Sequence, residues 1–298
     1  MEWWQFLLLF FVGLGVLMAI GLPVAIAFLL VNLAGVFYLW GGVSGFNQLI
    51  LSIDSSISTF VPVPVPMFIL MGSIMFYSGI AQRMIEVLDQ WLGFVAGRLS
   101  VLAIGAGALL GTLTGMAMGS VAMLGSTLTP EMERRGYAKS MSLGPILASG
   151  GLAILIPPST LAIVLASLGG FSVAKILIGI IVPGILLAIL CIGYIIIRAT
   201  LRPHEAPAYE APRVPMAQRL RDAALYLVPP LCVVVMIIGL IFFGTATPTE
   251  AAAIGTFLTF VLAFVYRRLN WQVLVKGVSQ AMQLSVMILI ILTGSAAF

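Results

Sequence analysis

Hydrophobic residues recur along this chain in runs that are long enough to cross a lipid bilayer as helices. At Gly21-Leu22-Pro23, a glycine that ends one helix is followed by a proline that starts the next. The runs predicted to be full spans are Trp4–Ile20, Pro23–Trp40, Pro62–Gly79, Lys175–Ile197, Ala223–Phe243, Ala251–Tyr266 and Gln280–Phe298. The pattern therefore predicts an all-α, polytopic membrane protein.

Other segments have patterns that differ from a plain span. Gly42–Thr59 is weakly polar and is predicted to lie along the membrane interface. Ala81–Gly97 places charged and apolar residues at the spacing of an amphipathic helix. Val101–Pro130 is apolar but rich in glycine, and Met141–Leu168 is a long apolar run broken by Pro157-Pro158. The last two segments predict interruptions of helical structure inside the membrane.

The distribution of basic residues orients the chain. The polar loop Arg198–Asp222 carries five arginines, so the positive-inside rule places it in the cytoplasm. If Val101–Pro130 enters the membrane and returns to the same side, every lysine and arginine except Lys175 also falls on the cytoplasmic side. A single crossing would leave two more basic residues outside. The N-terminus is then predicted to be periplasmic.

Two topologies of Val101–Pro130 begin and end on the same side of the membrane, as the basic residues require. They are a re-entrant helical hairpin and a pair of full spans. Each arm would have only about 14 residues, fewer than the roughly 20 that cross a bilayer. The re-entrant hairpin, open to the cytoplasm, is therefore favoured. Non-helical backbone at that depth is tolerated only where it is buried in protein or lines a cavity.

Composition excludes several classes of protein. The chain is 61% hydrophobic and 8% charged, whereas soluble domains carry about 25% charged residues. The net charge of +4 is explained by loop residues that set orientation, and no basic face for nucleic acid is present in the sequence. The lipid bilayer is the predicted surrounding of most of the chain.

An eight-residue motif occurs twice. ILMGSIMF at residues 69–76 returns 222 residues later as ILTGSAAF at residues 291–298. Gly42–Thr59 has no basic residue, while the matching region has Arg267, Arg268 and Lys276, so the two copies are predicted to have opposite orientations. Inverted repeats with binding sites at discontinuous helices are typical of secondary transporters.

The repeat divides the chain into four parts. These are first-repeat scaffold spans and interfacial helices at 1–97, first-repeat transport elements at 98–200, a cytoplasmic loop at 201–222 and the second-repeat scaffold at 223–298. A second copy would need about as many residues as the first. We therefore expect its hairpin and broken helix to be missing from these 298 residues, and we expect the 298 residues alone not to transport.

Four ordered stretches resemble the large (M) subunit of tripartite ATP-independent periplasmic (TRAP) transporters, a DctM-like protein. They are LGS at 124–126 with PEMERRGY at 130–137, ILIPPS at 154–159, IVPG at 181–184 and TPTEAA at 247–252. The resemblance implies an inverted-repeat, elevator-type ion-transporter-like fold in the bacterial or archaeal inner membrane. It also implies sodium-driven import of organic acids, with a small four-helix membrane subunit (Q type) and a periplasmic substrate-binding protein (P type) as partners.

The chain departs from this family at the hairpin tip, where Gly115-Met116-Ala117 replaces a Gly-Ser-Ser-like sequence. Backbone oxygens rather than side-chain oxygens are therefore expected to act there. Sodium is expected to be the coupling ion, and no cofactor is expected. Other glycines of the hairpin, such as Gly105, Gly107 and Gly111, are predicted to allow close helix packing.

A sodium and substrate site is predicted where the two interruptions meet. Hard cations prefer oxygen ligands, and a proline pair leaves helix carbonyls without amide donors. Hydroxyls at the start of the next half-helix would add ligands, and the positive end of that helix suits a carboxylate. The predicted site residues are Thr114, Gly115, Met116, Ser120, Pro157, Pro158, Ser159 and Thr160. The alternative is a kinked helix that serves packing alone.

Rival functions remain open at this point. A polytopic membrane enzyme would need a nucleophile with a base, or a metal cluster, at membrane depth, and the single histidine, His204, lies in a loop. A channel would not need paired broken helices. A proton-coupled carrier could use Glu250, although Thr247 or Thr249 is better placed to form a helix cap with it. The chain is predicted not to be an enzyme.

Overall fold

The computed structural model describes residues 3–39, 43–58, 63–93, 95–114, 117–207 and 214–296. Within these ranges the regular secondary structure is helical. Four helices are long and apolar enough to cross a membrane, or up to six if each of two bent helix pairs is one span. The predicted class, an all-α protein with several membrane-crossing helices, is confirmed.

Fifteen α-helices are found in the described parts of the chain. They are α1 Trp3–Ala19, α2 Val24–Leu39, α3 Val43–Ser58, α4 Pro64–Tyr77, α5 Ile80–Trp91, α6 Arg98–Thr114, α7 Ala117–Arg134, α8 Lys139–Leu155, α9 Thr160–Leu168, α10 Val173–Gly179, α11 Ile181–Leu201, α12 Met216–Asp222, α13 Val228–Phe242, α14 Pro248–Val265 and α15 Trp271–Ala296. A 3₁₀ turn covers Pro203–Glu205, and a π-helical turn at Ala223–Leu227 joins α12 to α13.

Some predicted bounds differ from the structure. The span expected to begin at Gln280 begins at Trp271, since no helix-breaking pair separates the two residues. The polar loop is shorter than predicted, because α11 continues to Leu201 and α12 is helical. Arg198 lies in the last turn of α11, where its Nε donates to Glu205 Oε2 at 2.6 Å. The division into repeats and the opposite orientation of the two copies stay predictions.

One of two compact units comprises residues 1–62 and 282–298, and so holds α1, α2, α3 and the end of α15. Asn32 Nδ2 on α2 donates to the Gly294 carbonyl at 2.5 Å. A Cβ on Gly294 would lie 3.0 Å from Phe28 Cβ, which shows how closely α15 packs on α2. Gly294 is the glycine of the second repeated motif, of which residues 297 and 298 lie outside the described residues.

The other unit spans residues 63–281, and α6 and α8 form its centre. Its largest fully buried side chains near these two helices are Leu102, Ile104, Leu110, Leu113, Leu124 and Met132. In the same unit, Thr256 Oγ1 on α14 donates to the Met67 carbonyl on α4 at 2.8 Å. This bond holds α14 against α4, the helix that carries the first repeated motif.

The predicted amphipathic helix is confirmed in α5. Ile80, Ala81 and Met84 are buried, while Arg83 and Glu86 are exposed and form an ion pair of 2.8 Å. The axis bends by 67° between α4 and α5 at Gly79, whose φ of 74° lies in the left-handed region that glycine adopts without strain.

Candidate ion and substrate site

The glycine-rich segment folds as a helical hairpin. Its arms are α6, of 17 residues, and α7, of 18 residues. They pack so closely that a Cβ on Gly107 would lie 3.0 Å from Leu124 Cδ1. Each arm is about 26 Å long, less than the roughly 30 Å of a hydrocarbon core. The hairpin is confirmed, and its re-entrant topology stays a prediction.

The hairpin is longer than the predicted range Val101–Pro130, because charged residues extend both arms. Arg98 begins α6 and is buried, with its Nε and Nη2 atoms donating to the Asp89 carboxylate at 2.8 and 2.6 Å. At the end of α7, Glu131 pairs with Arg134 at 2.8 Å and also with Arg135. The open end of the hairpin is therefore charged, as expected of an end at a membrane surface.

The helices α6 and α8 run parallel and in close contact. Their contacts follow one another in the same order along both helices: Ser100 Oγ donates to the Met141 carbonyl at 2.5 Å, a Cβ on Gly107 would lie 2.2 Å from Ser149 Cβ, and a Cβ on Gly111 would lie 2.3 Å from Ala153 Cβ. Glycine spaced by four residues faces serine and alanine spaced by four, which is small-residue packing of membrane helices. The packing role predicted for Gly107 and Gly111 is confirmed, whereas Gly105 has open space beside it.

This register brings the end of α6 and the end of α8 to the same level. Thr114, the last residue of α6, lies three residues beyond Gly111. Ile156, where α8 has ended, lies three residues beyond Ala153, the partner of Gly111. The ends of α6 and α8 are therefore neighbours in the fold, although Thr114 and Ile156 are 42 positions apart in the sequence.

The broken helix has the form that the proline pair predicts. The axes of α8 and α9 differ by 48°, and Ile156 and Ser159 have extended backbone conformations. Since Pro157 and Pro158 have no N–H, the carbonyls of Ala153 and Ile154 lack the donors that a continuous helix would supply. A cation at the break could take the place of these missing amide donors.

Hydroxyl groups lie close to both interruptions. Ser159 Oγ caps α9 by accepting from the Ala162 amide at 3.3 Å, and Ser159 is 1% exposed. Thr160 is buried beside it. On α7, Ser120 is buried and its Oγ donates to the Ala117 carbonyl at 3.0 Å. Oxygen ligands of the kind that hard cations prefer are thus present in a largely dry environment.

The structure brings together only part of the predicted site. Pro157, Pro158, Ser159 and Thr160 form one buried break. Gly115 and Met116, together with the side chain of Thr114, lie outside the described residues. The assignment of these residues to one sodium site stays a prediction.

Gly184 on α11 supports the break and was not predicted as a site residue. A Cβ on it would lie 2.6 Å from the Leu155 carbonyl oxygen. The sequence drew attention to Gly184 because it belongs to the IVPG stretch. That stretch does not indicate that Gly184 contacts the Leu155 carbonyl. Gly184 permits α11 to contact the backbone at the end of α8.

The side of the break that faces α10 and α13 is closely packed. A cavity of about 10 Å³ borders Pro157 and Pro158 and is otherwise lined by apolar residues of α10 and α13. That volume suits roughly one water molecule and no organic substrate. A substrate bound at the break would therefore approach from another side.

Glu250 is part of a helix cap. The amide nitrogen and Oγ1 of Thr247 each donate to Glu250 Oε2 at 2.8 Å, and the Glu250 amide donates to Thr247 Oγ1 at 3.3 Å. This reciprocal arrangement is a capping box at the start of α14. The predicted cap is confirmed. Among the described residues, no three His, Cys, Asp or Glu side chains are grouped to hold a metal ion.

Comparison with known proteins identifies similar sequences. The family model of the tripartite ATP-independent periplasmic transporter, DctM component, matches residues 11–298. The C4-dicarboxylate TRAP transporter large permease protein DctM of Pseudomonas aeruginosa is 31% identical over 237 residues, which cover 78% of this chain and 54% of that protein. The ectoine TRAP transporter large permease protein TeaC of Halomonas elongata is 31% identical over 256 residues, which cover 85% of this chain and 58% of that protein.

A third relative is the isethionate TRAP transporter permease protein DctMQ of Oleidesulfovibrio alaskensis. It is 27% identical over 282 residues, which cover 94% of this chain and 44% of that protein. The chain thus spans about half the length of these curated relatives. All three relatives are named as transporter permeases, which agrees with the prediction that the chain is not an enzyme.

Proposed function

The chain belongs to the DctM-component family of tripartite ATP-independent periplasmic transporters, and we propose that it acts as the permease part of a sodium-driven importer of a small carboxylate. One observation carries the proposal: the end of the α6–α7 hairpin and the broken α8–α9 helix are held at one level by the Gly111–Ala153 contact. Paired helix interruptions of this kind are where secondary transporters bind ions and substrates.

The proposed coupling rests on backbone oxygens. A sodium ion between the hairpin tip and the break would take ligands from the carbonyls of Ala153 and Ile154 and from nearby hydroxyls. An ion bound there would order both segments before the substrate arrives, so the two would bind cooperatively. The N-terminus of α9, which begins at Thr160, would then face the substrate carboxylate with its positive end.

The proposed substrate class and partners are supported by the names of the relatives. The names of the relatives mention C4-dicarboxylate, ectoine and isethionate, all of which carry an acidic group. We propose that a periplasmic binding protein delivers the substrate and that a small membrane subunit supports an elevator movement in the inner membrane. The name DctMQ of one relative agrees with a second membrane component.

Replacement of sodium by choline at constant pH should reduce uptake to background. The chain would be expressed with its membrane and periplasmic partners, and labelled substrate would be measured inside cells or proteoliposomes. Potassium serves as a second replacement cation, because its larger radius suits a sodium site poorly. Undiminished uptake in choline would reject sodium coupling and leave proton coupling as the better mechanism.

Ser159→Ala should raise the sodium concentration for half-maximal uptake by roughly threefold to tenfold, because one neutral oxygen ligand contributes about 0.5–1.5 kcal/mol. Ser172→Ala is the matched control, since Ser172 also caps a helix, by accepting from the Lys175 amide at 3.5 Å, but lies away from the break. An equal shift in both variants would mean that only capping was lost. No shift in either would exclude Ser159 as a ligand.

A further inference from the structure

Another cavity, with polar walls, lies apart from the predicted ion site. It has a volume of about 170 Å³ and shares no lining residue with the break. Its walls come from the α4–α5 bend, the π-helical turn and the segment after α14, and they comprise Gly79, Ile80, Arg83, Tyr226, Tyr266 and Arg268. All of these residues belong to the unit of residues 63–281.

The charged groups lining the cavity are both guanidinium groups. Arg83 donates to Glu86 at 2.8 Å, so one of the two positive charges is partly balanced by a carboxylate that does not line the cavity. Arg268 is exposed and supplies the second positive charge. Two planar groups with several donors each, and no acidic lining residue, favour an anion with several oxygens.

The neutral walls also suit an anion at a membrane surface. The rings of Tyr226 and Tyr266 lie 5.7 Å apart, and the Tyr266 hydroxyl donates to the Leu225 carbonyl in the π-helical turn. This bond fixes one ring of the cavity wall. Gly79 caps α5 without a side chain, so the positive end of this twelve-residue helix also borders the cavity.

The position of the cavity identifies the class of ligand. It adjoins the last residues of α14 and the bend after α4, where apolar helices end and charged residues begin. Tyrosine is enriched at this level of a membrane, and basic pockets at helix ends bind lipid head groups. A volume of about 170 Å³ is below the usual range for organic ligands but accommodates a phosphate group.

We propose that this cavity binds the phosphate group of an anionic phospholipid, with Arg83 and Arg268 as its donors. The proposal does not depend on sodium coupling or on the substrate. Bound lipid would connect the α4–α5 bend to the segment that follows α14. It would therefore stabilise the arrangement of these two segments within the unit of residues 63–281.

The test is native mass spectrometry of the purified chain titrated with phosphatidylglycerol. The dissociation constant should rise about fivefold in Arg268→Gln, the effect of one arginine near an anionic surface. Arg267→Gln is the matched control, because it removes the same charge from the adjacent residue, which does not line the cavity. Circular dichroism would be used to check that each variant remains folded. Arg83→Gln is the second test variant and should weaken binding in the same direction.

Phosphatidylcholine and inorganic phosphate are the comparison ligands. Phosphatidylcholine carries a compensating ammonium group and should bind at least fivefold more weakly than phosphatidylglycerol. Unchanged phosphatidylglycerol binding in both Arg268→Gln and Arg83→Gln would overturn the proposal, as would an equal loss in Arg267→Gln. If inorganic phosphate competes fully at the same concentration as the lipid, the assignment to a lipid is overturned.

Discussion

Replacement of Gly111 by alanine should separate α6 from α8 and destabilise the folded protein. The added Cβ would lie 2.3 Å from Ala153 Cβ and 2.5 Å from Ala153 Cα, and neither atom can rotate away. One helix must therefore move, and contacts along the whole parallel interface weaken with it. Overpacking of a close contact costs about 1–3 kcal/mol, and the rigid backbone here places the expected cost at the upper end.

Gly105→Ala is the matched control for this effect. Gly105 lies on the same helix, but no atom lies within 4 Å of its Cβ position. Alanine favours helix by up to about 1 kcal/mol over glycine, so Gly105→Ala should be neutral or stabilising. Thermal unfolding of both variants in one detergent measures the difference. Equal unfolding temperatures would contradict the close contact between α6 and α8.

Replacement of Gly184 by alanine should displace the backbone at the helix break. The added Cβ would lie 2.6 Å from the Leu155 carbonyl oxygen and 3.0 Å from its carbon. If the break holds sodium, a shift of its carbonyls should raise the sodium concentration for half-maximal uptake at least tenfold, which corresponds to about 1.4 kcal/mol. Cation sites built from carbonyls depend on ligand position, so this effect should exceed that of Ser159→Ala.

Gly193→Ala on the same helix controls for the substitution itself, since its Cβ position has no neighbour within 4 Å. Sodium dependence of uptake and thermal unfolding would be measured on both variants. A lower unfolding temperature of Gly184→Ala with unchanged sodium dependence would show that the break is structural and not part of the ion site. Wild-type values of both quantities would contradict the Gly184–Leu155 contact.

Much of the site's local structure was predictable because its causes are local. Proline lacks an amide donor wherever it lies, so Pro157-Pro158 indicated a broken helix without knowledge of its neighbours. The hairpin followed from the distribution of the basic residues and from the length of its arms, which are too short to be full spans. A cap at Glu250 was predicted from the threonines that precede it, Thr247 or Thr249, and the structure selects Thr247 through a capping box.

Contacts between distant elements were not predictable in this way. Glycine at residues 105, 107 and 111 looks the same in the sequence, yet only the last two have a partner on α8. The role of Gly184 depends on a carbonyl 29 residues earlier, and the arginine and tyrosine cavity joins segments that lie far apart along the chain. The periodicity of apolar residues predicts which face of a helix is buried. It does not predict the register in which two helices pack against each other.

The amino-acid sequence alone was sufficient to predict a helical membrane protein, because lipid offers backbone polar groups no hydrogen-bond partner outside the chain. It was also sufficient to predict a broken helix at Pro157-Pro158, because proline has no amide donor. The register of α6 and α8, which places Thr114 level with Ile156, is visible only in the folded protein. That register depends on how the side-chain-free surfaces of glycine meet Ser149 and Ala153. Such a fit depends on the three-dimensional shape of both helices and is absent from the local pattern of either.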